Sequence, residues 1–363
     1  MKILVTSKQY PYYGGSATNA YKLINYLRNN NYNTAGLYYN NEDVNIDPDN
    51  LKGIFKTSHN SKKFQIKDDH GKKQVLQYLN GDPDIVLCFN YYVPIVSKNT
   101  FPNSKIVYMV VGSPSLTLGT NCCINNNISA MKFLKLKNHN EYIDNIYHNL
   151  EKKSIECSDY ILVDHGELPL QILKKTFSDF FSKHNNYCYY DYSGIILKNQ
   201  ILNKKFDLRT KTNDLIIVAS NWNRNVKNKN FYKQILNEYP NLHKIVIGAN
   251  SDFFNEIPNT KIIDLTDHNN VLTHLNKSKL LLLCSFFESG PNIIIESIYC
   301  KCQVLASKNI GKSYFLHDYN LTNDVYNVNE WTSKINYILG NPQLKLPNIN
   351  SNNKGFFDIL QKI

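Results

Sequence analysis

The feature that most constrains this 363-residue chain is an alternation of short apolar runs with amphipathic stretches, carried through both halves. In the first half the runs Ile3–Thr6, Ala35–Tyr39, Asp84–Phe89, Lys105–Val111 and Tyr160–Val163 have the length and composition of buried strands. A helix is expected to open near Ser16, because Ala20, Leu23, Ile24 and Leu27 recur at helical spacing. A second is expected over Glu141–Cys157. The second half repeats the pattern more cleanly. Strands are expected at Leu215–Ala219, Lys244–Gly248, Lys261–Leu265, Leu280–Cys284 and Gln303–Ala306, with helices over Asn228–Glu238, Asn269–Lys277 and Pro291 to about Cys300. Strands and helices alternating at these lengths predict an α/β chain with parallel sheets flanked by helices.

The length exceeds what one hydrophobic core ordinarily serves and suits two domains. The boundary is placed in the polar stretch Asn203–Asp214, giving domains over 1–205 and 206–340. Residues 341–363 form a tail whose end, Gly355–Ile363, reads as a closing helix that could pack back on the first domain. No run of about twenty apolar residues predicts a transmembrane helix. Met1–Ser7 reads as a buried first strand and lacks the long apolar region of a signal peptide. The eight cysteines (88, 122, 123, 157, 188, 284, 300 and 302) show no paired zinc-ligand spacing, so they read as reduced thiols in a cytoplasmic protein. The Cys300-Lys-Cys302 pair alone is weak evidence for a metal. A formal net charge of +11 suits an anionic partner without choosing among a nucleotide, a membrane surface and a nucleic acid.

The segment Ser285-Phe-Phe-Glu288-Ser289-Gly290-Pro291-Asn292-Ile293-Ile-Ile-Glu296 carries the most chemistry. An apolar strand ends at Cys284, a turn carries Glu288, and Gly290-Pro291 opens a helix, proline being suited to the first helical position. The free N–H groups of Ser289 to Ile293 would then point beyond the strand ends. Glu296, expected in the second helical turn, leans back toward the same place. Two carboxylates there could accept hydrogen bonds from vicinal hydroxyls of a ribose and a sugar.

Two further loops follow strands. Ala219–Phe231 holds Arg224, Lys227 and Lys229, cations placed to meet a diphosphate and its growing charge as a bond to it breaks. Pro11–Ser16 holds Gly14 and Gly15 before the first helix, where backbone can approach a ligand closely. It is not a GxGxxG fingerprint.

The Glu288…Glu296 segment resembles the E-x7-E signature of retaining glycosyltransferases of the GT-B fold, above all glycosyltransferase family 4. Cys302–Ala306 and Asn309-Ile-Gly311 resemble the strand and glycine turn that follow in that family. The resemblance implies two Rossmann-like domains facing a cleft, with transfer of a glycosyl unit from a nucleotide sugar to an acceptor hydroxyl with retention. It implies that Glu288 contacts the donor sugar and Glu296 the donor ribose, that Arg224 with Lys227 or Lys229 meets the diphosphate, and that Gly14, Gly15 and Ser16 lie under the phosphates. It also implies a UDP- or GDP-sugar as substrate, no cofactor and no metal.

This chain departs from the family in two places. The basic loop lacks the usual glycine-arginine start and lysine-glycine end. After Lys105–Val111 stands Gly112-Ser113-Pro114-Ser115, with none of the histidine the family often carries there, so Ser113 and His165 are the acceptor-side candidates. Asp47-Pro-Asp49 and Asp82-Pro-Asp84 are explained by turn chemistry rather than metal binding. The basic, apolar stretch Met131–Lys137 could touch an anionic membrane surface, so a peripheral location joins the cytoplasmic expectation. The acceptor expected is a glycan, protein or lipid-linked group. No nucleic-acid partner is expected, because the polar motifs sit at strand ends and not on one basic aromatic face. The rival readings are a nucleotide-sugar 2-epimerase on the same fold and a basic polyanion-binding protein with a degenerate cleft.

Overall fold

The computed structural model describes residues 1–8, 15–39, 52–60, 63–111, 113–116, 145–163, 166–189, 211–349 and 353–363. Its first half builds a seven-stranded sheet, all parallel, in the order β3-β2-β1-β6-β7-β8-β9. These strands are β1 (Lys2–Ser7), β2 (Asn33–Tyr39), β3 (Ile54–Thr57), β6 (Ile85–Phe89), β7 (Lys105–Met109), β8 (Tyr160–Val163) and β9 (Tyr187–Tyr189). A two-residue antiparallel pair, β4 (His59–Asn60) and β5 (Gln65–Ile66), stands apart. The helices are α1 (Gly15–Asn29), α2 (His70–Leu79), α3 (Val93–Thr100), α4 (Asn145–Glu156), α5 (Glu167–Thr176) and the short α6 (Ser178–Phe181).

The second half builds a six-stranded parallel sheet in the order β12-β11-β10-β13-β14-β15. Its strands are β10 (Asn213–Asn221), β11 (Lys244–Ala249), β12 (Thr260–Ile263), β13 (Ser278–Leu283), β14 (Gln303–Ser307) and β15 (Leu321–Thr322). Around it lie α7 (Lys229–Asn237), α8 (His268–Asn276), α9 (Ile293–Tyr299) and α10 (Val328–Gly340).

Side-chain alternation sends successive residues of each sheet to opposite faces, each packed into its own core clusters. On β10, Leu215 and Ile217 pack with Phe231 and Ile235 of α7 and with Trp331 and Ile335 of α10. Ile216 between them packs with Leu272 and Leu275 of α8 and Ile294, Ile295 and Ile298 of α9. Strand β1 does the same, with Ile3 and Val5 toward α1 and Leu4 toward α2 and α3. Burying each such side chain contributes roughly 1.5–3 kcal/mol. The helix α11 (Asn353–Lys362) returns to the first sheet, where Phe356 and Leu360 join Ile3, Leu23 and Leu27 in one core.

The two sheets meet through the ends of their strands. Phe287, just past β13, is buried in the first half's cluster of Tyr108, Val110, Leu116 and Ile172. Gly166, past β8, lies against the Tyr314 ring of the second half. A Cβ at this residue (φ +99°) would stand 2.5 Å from that ring, so the approach requires glycine.

Candidate active site

In an open parallel sheet, ligands bind beyond the carboxyl ends of strands where the strand order reverses. In the second sheet that point lies between β10 and β13. The loops leaving these two strands are the basic loop and the Glu288 turn.

Strand β10 ends in a shift of register between Val218 and Asn221. Gly248 permits the close approach there, because a Cβ on it would lie 1.8 Å from the Ala219 carbonyl oxygen. Trp222, fully buried, donates from Nε1 to the Ile247 carbonyl at 3.1 Å and packs edge-on to Tyr232 and Phe254. With its root fixed, the loop runs into a single 3-10 turn, Asn225–Lys227. Asn228 closes that turn in the left-handed region (φ 55°), which asparagine tolerates, and its Nδ2 donates to the Cys284 carbonyl at 3.0 Å. Phe286 N donates to the Val226 carbonyl at 3.0 Å. The two loops are thus joined by backbone before any charged side chain is considered.

These bonds aim Lys227 inward. It is 8% exposed and its Nζ donates to Glu288 Oε1, an ion pair whose side chains keep only 10% and 19% of their surface. Ser285 Oγ donates to the same carboxylate oxygen at 3.1 Å. Lys229 turns the other way: its Nζ donates to Asn223 Oδ1 at 2.9 Å and sits 4.7 Å from the centre of the Phe253 ring. Arg224 is exposed at the front of the turn. Of the two lysines, the geometry brings Lys227 to the glutamate and not Lys229.

The helix after Glu288 begins later than the proline suggests. Ile294 N bonds to the Pro291 carbonyl at 3.3 Å and Glu296 N to the Asn292 carbonyl at 3.0 Å, so Gly290-Pro291-Asn292 forms a lead-in turn and α9 starts at Ile293. Glu296 therefore falls in the first helical turn and not the second. It is 7% exposed, and its Oε1 lies 3.0 Å from His268 Nε2. His268 opens α8, whose amino end is capped by Asp267 Oδ1 accepting from Asn270 N at 3.0 Å. Ser289, Gly290, Pro291, Asn292 and Ile293 are half-buried between the two carboxylates. The turn after β14 backs this segment: Gly311 N donates to the Glu288 carbonyl at 2.7 Å, and Ile310 bridges to Glu288 in parallel fashion.

The first half presents a different carboxylate. Glu151 of α4 is wholly buried and accepts from Tyr108 OH at 3.0 Å, from Ser115 N at 2.9 Å, and from the hydroxyls of Ser113 and Ser115. Burial pushes its carboxyl above the ordinary range, and the four donors pull it partly back. Ser113, a candidate from its place after β7, is thus engaged inside the domain. Gly15 and Ser16 begin α1. Gly14, His165, Asp47–Asp49, Met131–Lys137, Cys122 and Cys123 lie outside the described residues. Asp84 ties down the chain start, accepting from Lys2 N at 2.7 Å.

Sequence reasoning missed His268, Glu151 and Lys312. Their partners stand 28, 36 to 43 and 20 residues away, and no local motif marks such pairs. Cys300 and Cys302 are buried free thiols. Among the described residues, no three His, Cys, Asp or Glu side chains gather as a metal site, and no helix is long and apolar enough to cross a membrane.

The chain is similar to the lipopolysaccharide outer core galactosyltransferase WaaB in its apo form, at 15% identity and a TM-score of 0.64, over 100% of this chain and 99% of that one. The fold is GT-B. Sucrose-phosphate synthase from Thermosynechococcus elongatus is similar at 12% identity and a TM-score of 0.62, over 94% of this chain and 90% of that one. HepE from Anabaena, solved in complex with UDP-glucose, is similar at 13% identity and a TM-score of 0.58 over the full length of both. The sequence matches no protein-family model and no curated protein. In GT-B terms the Lys227–Glu288 pair stands at the switch point of the carboxyl-terminal Rossmann-like domain, with Glu296 one helical turn beyond.

Proposed function

We propose that this protein is a glycosyltransferase that moves a glycosyl unit from a nucleoside diphosphate sugar to an acceptor hydroxyl, with retention at the anomeric carbon and without a metal. The observation that carries the reading is the buried Lys227–Glu288 pair at the β10/β13 switch point, beside a second buried carboxylate, Glu296. In this reading Lys227 and the exposed Arg224 meet the diphosphate and offset the charge that grows on it as the glycosidic bond lengthens. Glu288 accepts hydrogen bonds from the donor sugar and holds Lys227 in place. Glu296, steadied by His268, accepts from the ribose hydroxyls. The leaving phosphate oxygen takes the proton of the acceptor hydroxyl, so no dedicated base is required. UDP-sugars come first as candidates because HepE, a structural neighbour, is bound to UDP-glucose.

The test is thermal stabilisation by a panel of UDP-, GDP-, ADP- and CMP-sugars, on the wild type and on Glu296→Ala. A ligand at a hundred times its dissociation constant adds about 2.7 kcal/mol of stability. Stabilisation by one diphosphate sugar that Glu296→Ala removes supports the reading. Stabilisation by polyanions alone would replace it with a binding protein. Product analysis without an acceptor separates transfer from epimerisation of the donor.

A further inference from the structure

The turn behind the two glutamates carries a charge in a costly position. Lys312 is wholly buried, and its φ of 66° puts it in the left-handed region, which glycine and asparagine enter readily but which strains the backbone of a lysine. A buried ammonium also gives up its hydration. A fold that tolerates both penalties at one residue concentrates strain where something must be held.

What the amine reaches is the segment between the carboxylates. Lys312 Nζ donates to Asn292 Oδ1 at 2.8 Å. Asn292 precedes α9 with an already helical backbone (φ −61°, ψ −25°), a geometry in which its side chain makes no capping bond, and its Oδ1 accepts from the ammonium instead. One residue earlier in the same turn, Gly311 N holds the Glu288 carbonyl at 2.7 Å. A single turn therefore grips the segment at both ends, by backbone at Glu288 and by the ammonium at Asn292. Only Ser289, Gly290 and Pro291 span the interval, and Gly290 is the residue with the most freedom to lose.

We propose that Lys312 is a positioning residue for the nucleotide-sugar site, fixing the Ser289–Asn292 backbone between Glu288 and Glu296 through Asn292. The proposal rests on the reading of this site as the donor site. Its physical content is preorganisation: with the segment already ordered, ligand binding loses less conformational freedom.

The test compares Lys312→Met, which keeps the buried stem and removes the amine, with Asn292→Ala and the double variant. Two readouts are taken: amide hydrogen exchange across Ser289–Ile293 without ligand, and affinity for the UDP-sugar that stabilises the wild type. The melting temperature of each variant is read alongside, so that a loss of affinity in a folded protein is told apart from unfolding. Exchange across the segment should quicken and affinity should fall on the order of tenfold. Asn292→Ala should show the same loss, and the double variant should be no weaker than either single one. Unchanged exchange in Lys312→Met, or losses that add in the double variant, would overturn the proposal. A wild type that binds no nucleotide sugar overturns the donor-site reading instead, whatever the exchange shows.

Discussion

Two glutamates, one in each half, show how differently the same side chain can be employed. Glu288 keeps some exposure, faces a lysine and lies on a turn at the mouth of a sheet. Glu151 is sealed in a helix, has four neutral donors around it and fastens the segment after β7 to α4. The role proposed for Glu288 requires an ammonium partner and an open side, since there it would exchange its contacts for those of a ligand. The donors around Glu151 satisfy it completely, and it serves the fold. The difference lies in the partners and the access, and neither is written in the residue itself.

The two glutamates should part most widely on substitution of Glu288. Its replacement by alanine should lower transfer about 10²–10³-fold with the fold intact, measured as kcat alongside the melting temperature. A thermal loss as large as the catalytic one would place Glu288 with Glu151. Lys227→Met should lower transfer about 10²-fold, whereas Lys229→Met should leave steady-state rates near wild type. Equal losses in the two would undo the distinction drawn between them. Glu151→Ala should do the reverse of Glu288→Ala, costing about 3 kcal/mol of stability by stranding buried donors.

The pH dependence of stability sharpens the contrast further. Burial raises the folded Glu151 carboxyl above its ordinary value near 4.5, so the folded state keeps this proton longer than the unfolded chain. Its contribution to stability is full below that value and declines as pH rises through the folded one. Denaturant midpoints between pH 4 and pH 8 should therefore slope less in Glu151→Gln than in the wild type. The smallest effect is expected at His268. Removing it leaves Glu296 in the first turn of α9 but less tightly oriented, so His268→Ala should weaken UDP-sugar binding by less than about tenfold with little change in kcat.

The carboxyl-terminal Rossmann-like domain was well legible in the sequence. Its strands are apolar runs bounded by turn residues, and the regularity of β10, β11, β13 and β14 follows from their burial on both faces, which the edge strand β12 lacks. Glu288 and Glu296 stand out as candidates because strand, turn and helix surround them in a readable order. The choice between Lys227 and Lys229 is not readable in that way, because a left-handed Asn228 decides it, and a two-residue spacing says nothing of which way a 3-10 turn will point. The same limit hid Lys312, whose significance is a backbone angle and a partner across a turn. The first half was legible in layout only. The short β3, β9 and β15 and the β4–β5 pair are absent from the expectations because short elements leave too few periods to count, and helices α2, α3, α5, α6 and, in the second half, α10 are absent as well.

The return of α11 has a topological consequence. Lys2–Ser7 and Asn353–Lys362 flank one core, and the sheet of Asn213–Thr322 lies between them in the chain. In connectivity the second domain is an insertion into the first. Fluorophores attached near Lys2 and near Lys362 would ride on the same body and report nothing of how the two sheets stand to each other. A reporter of that relation needs one label on this body and the other on an outward position such as Tyr337.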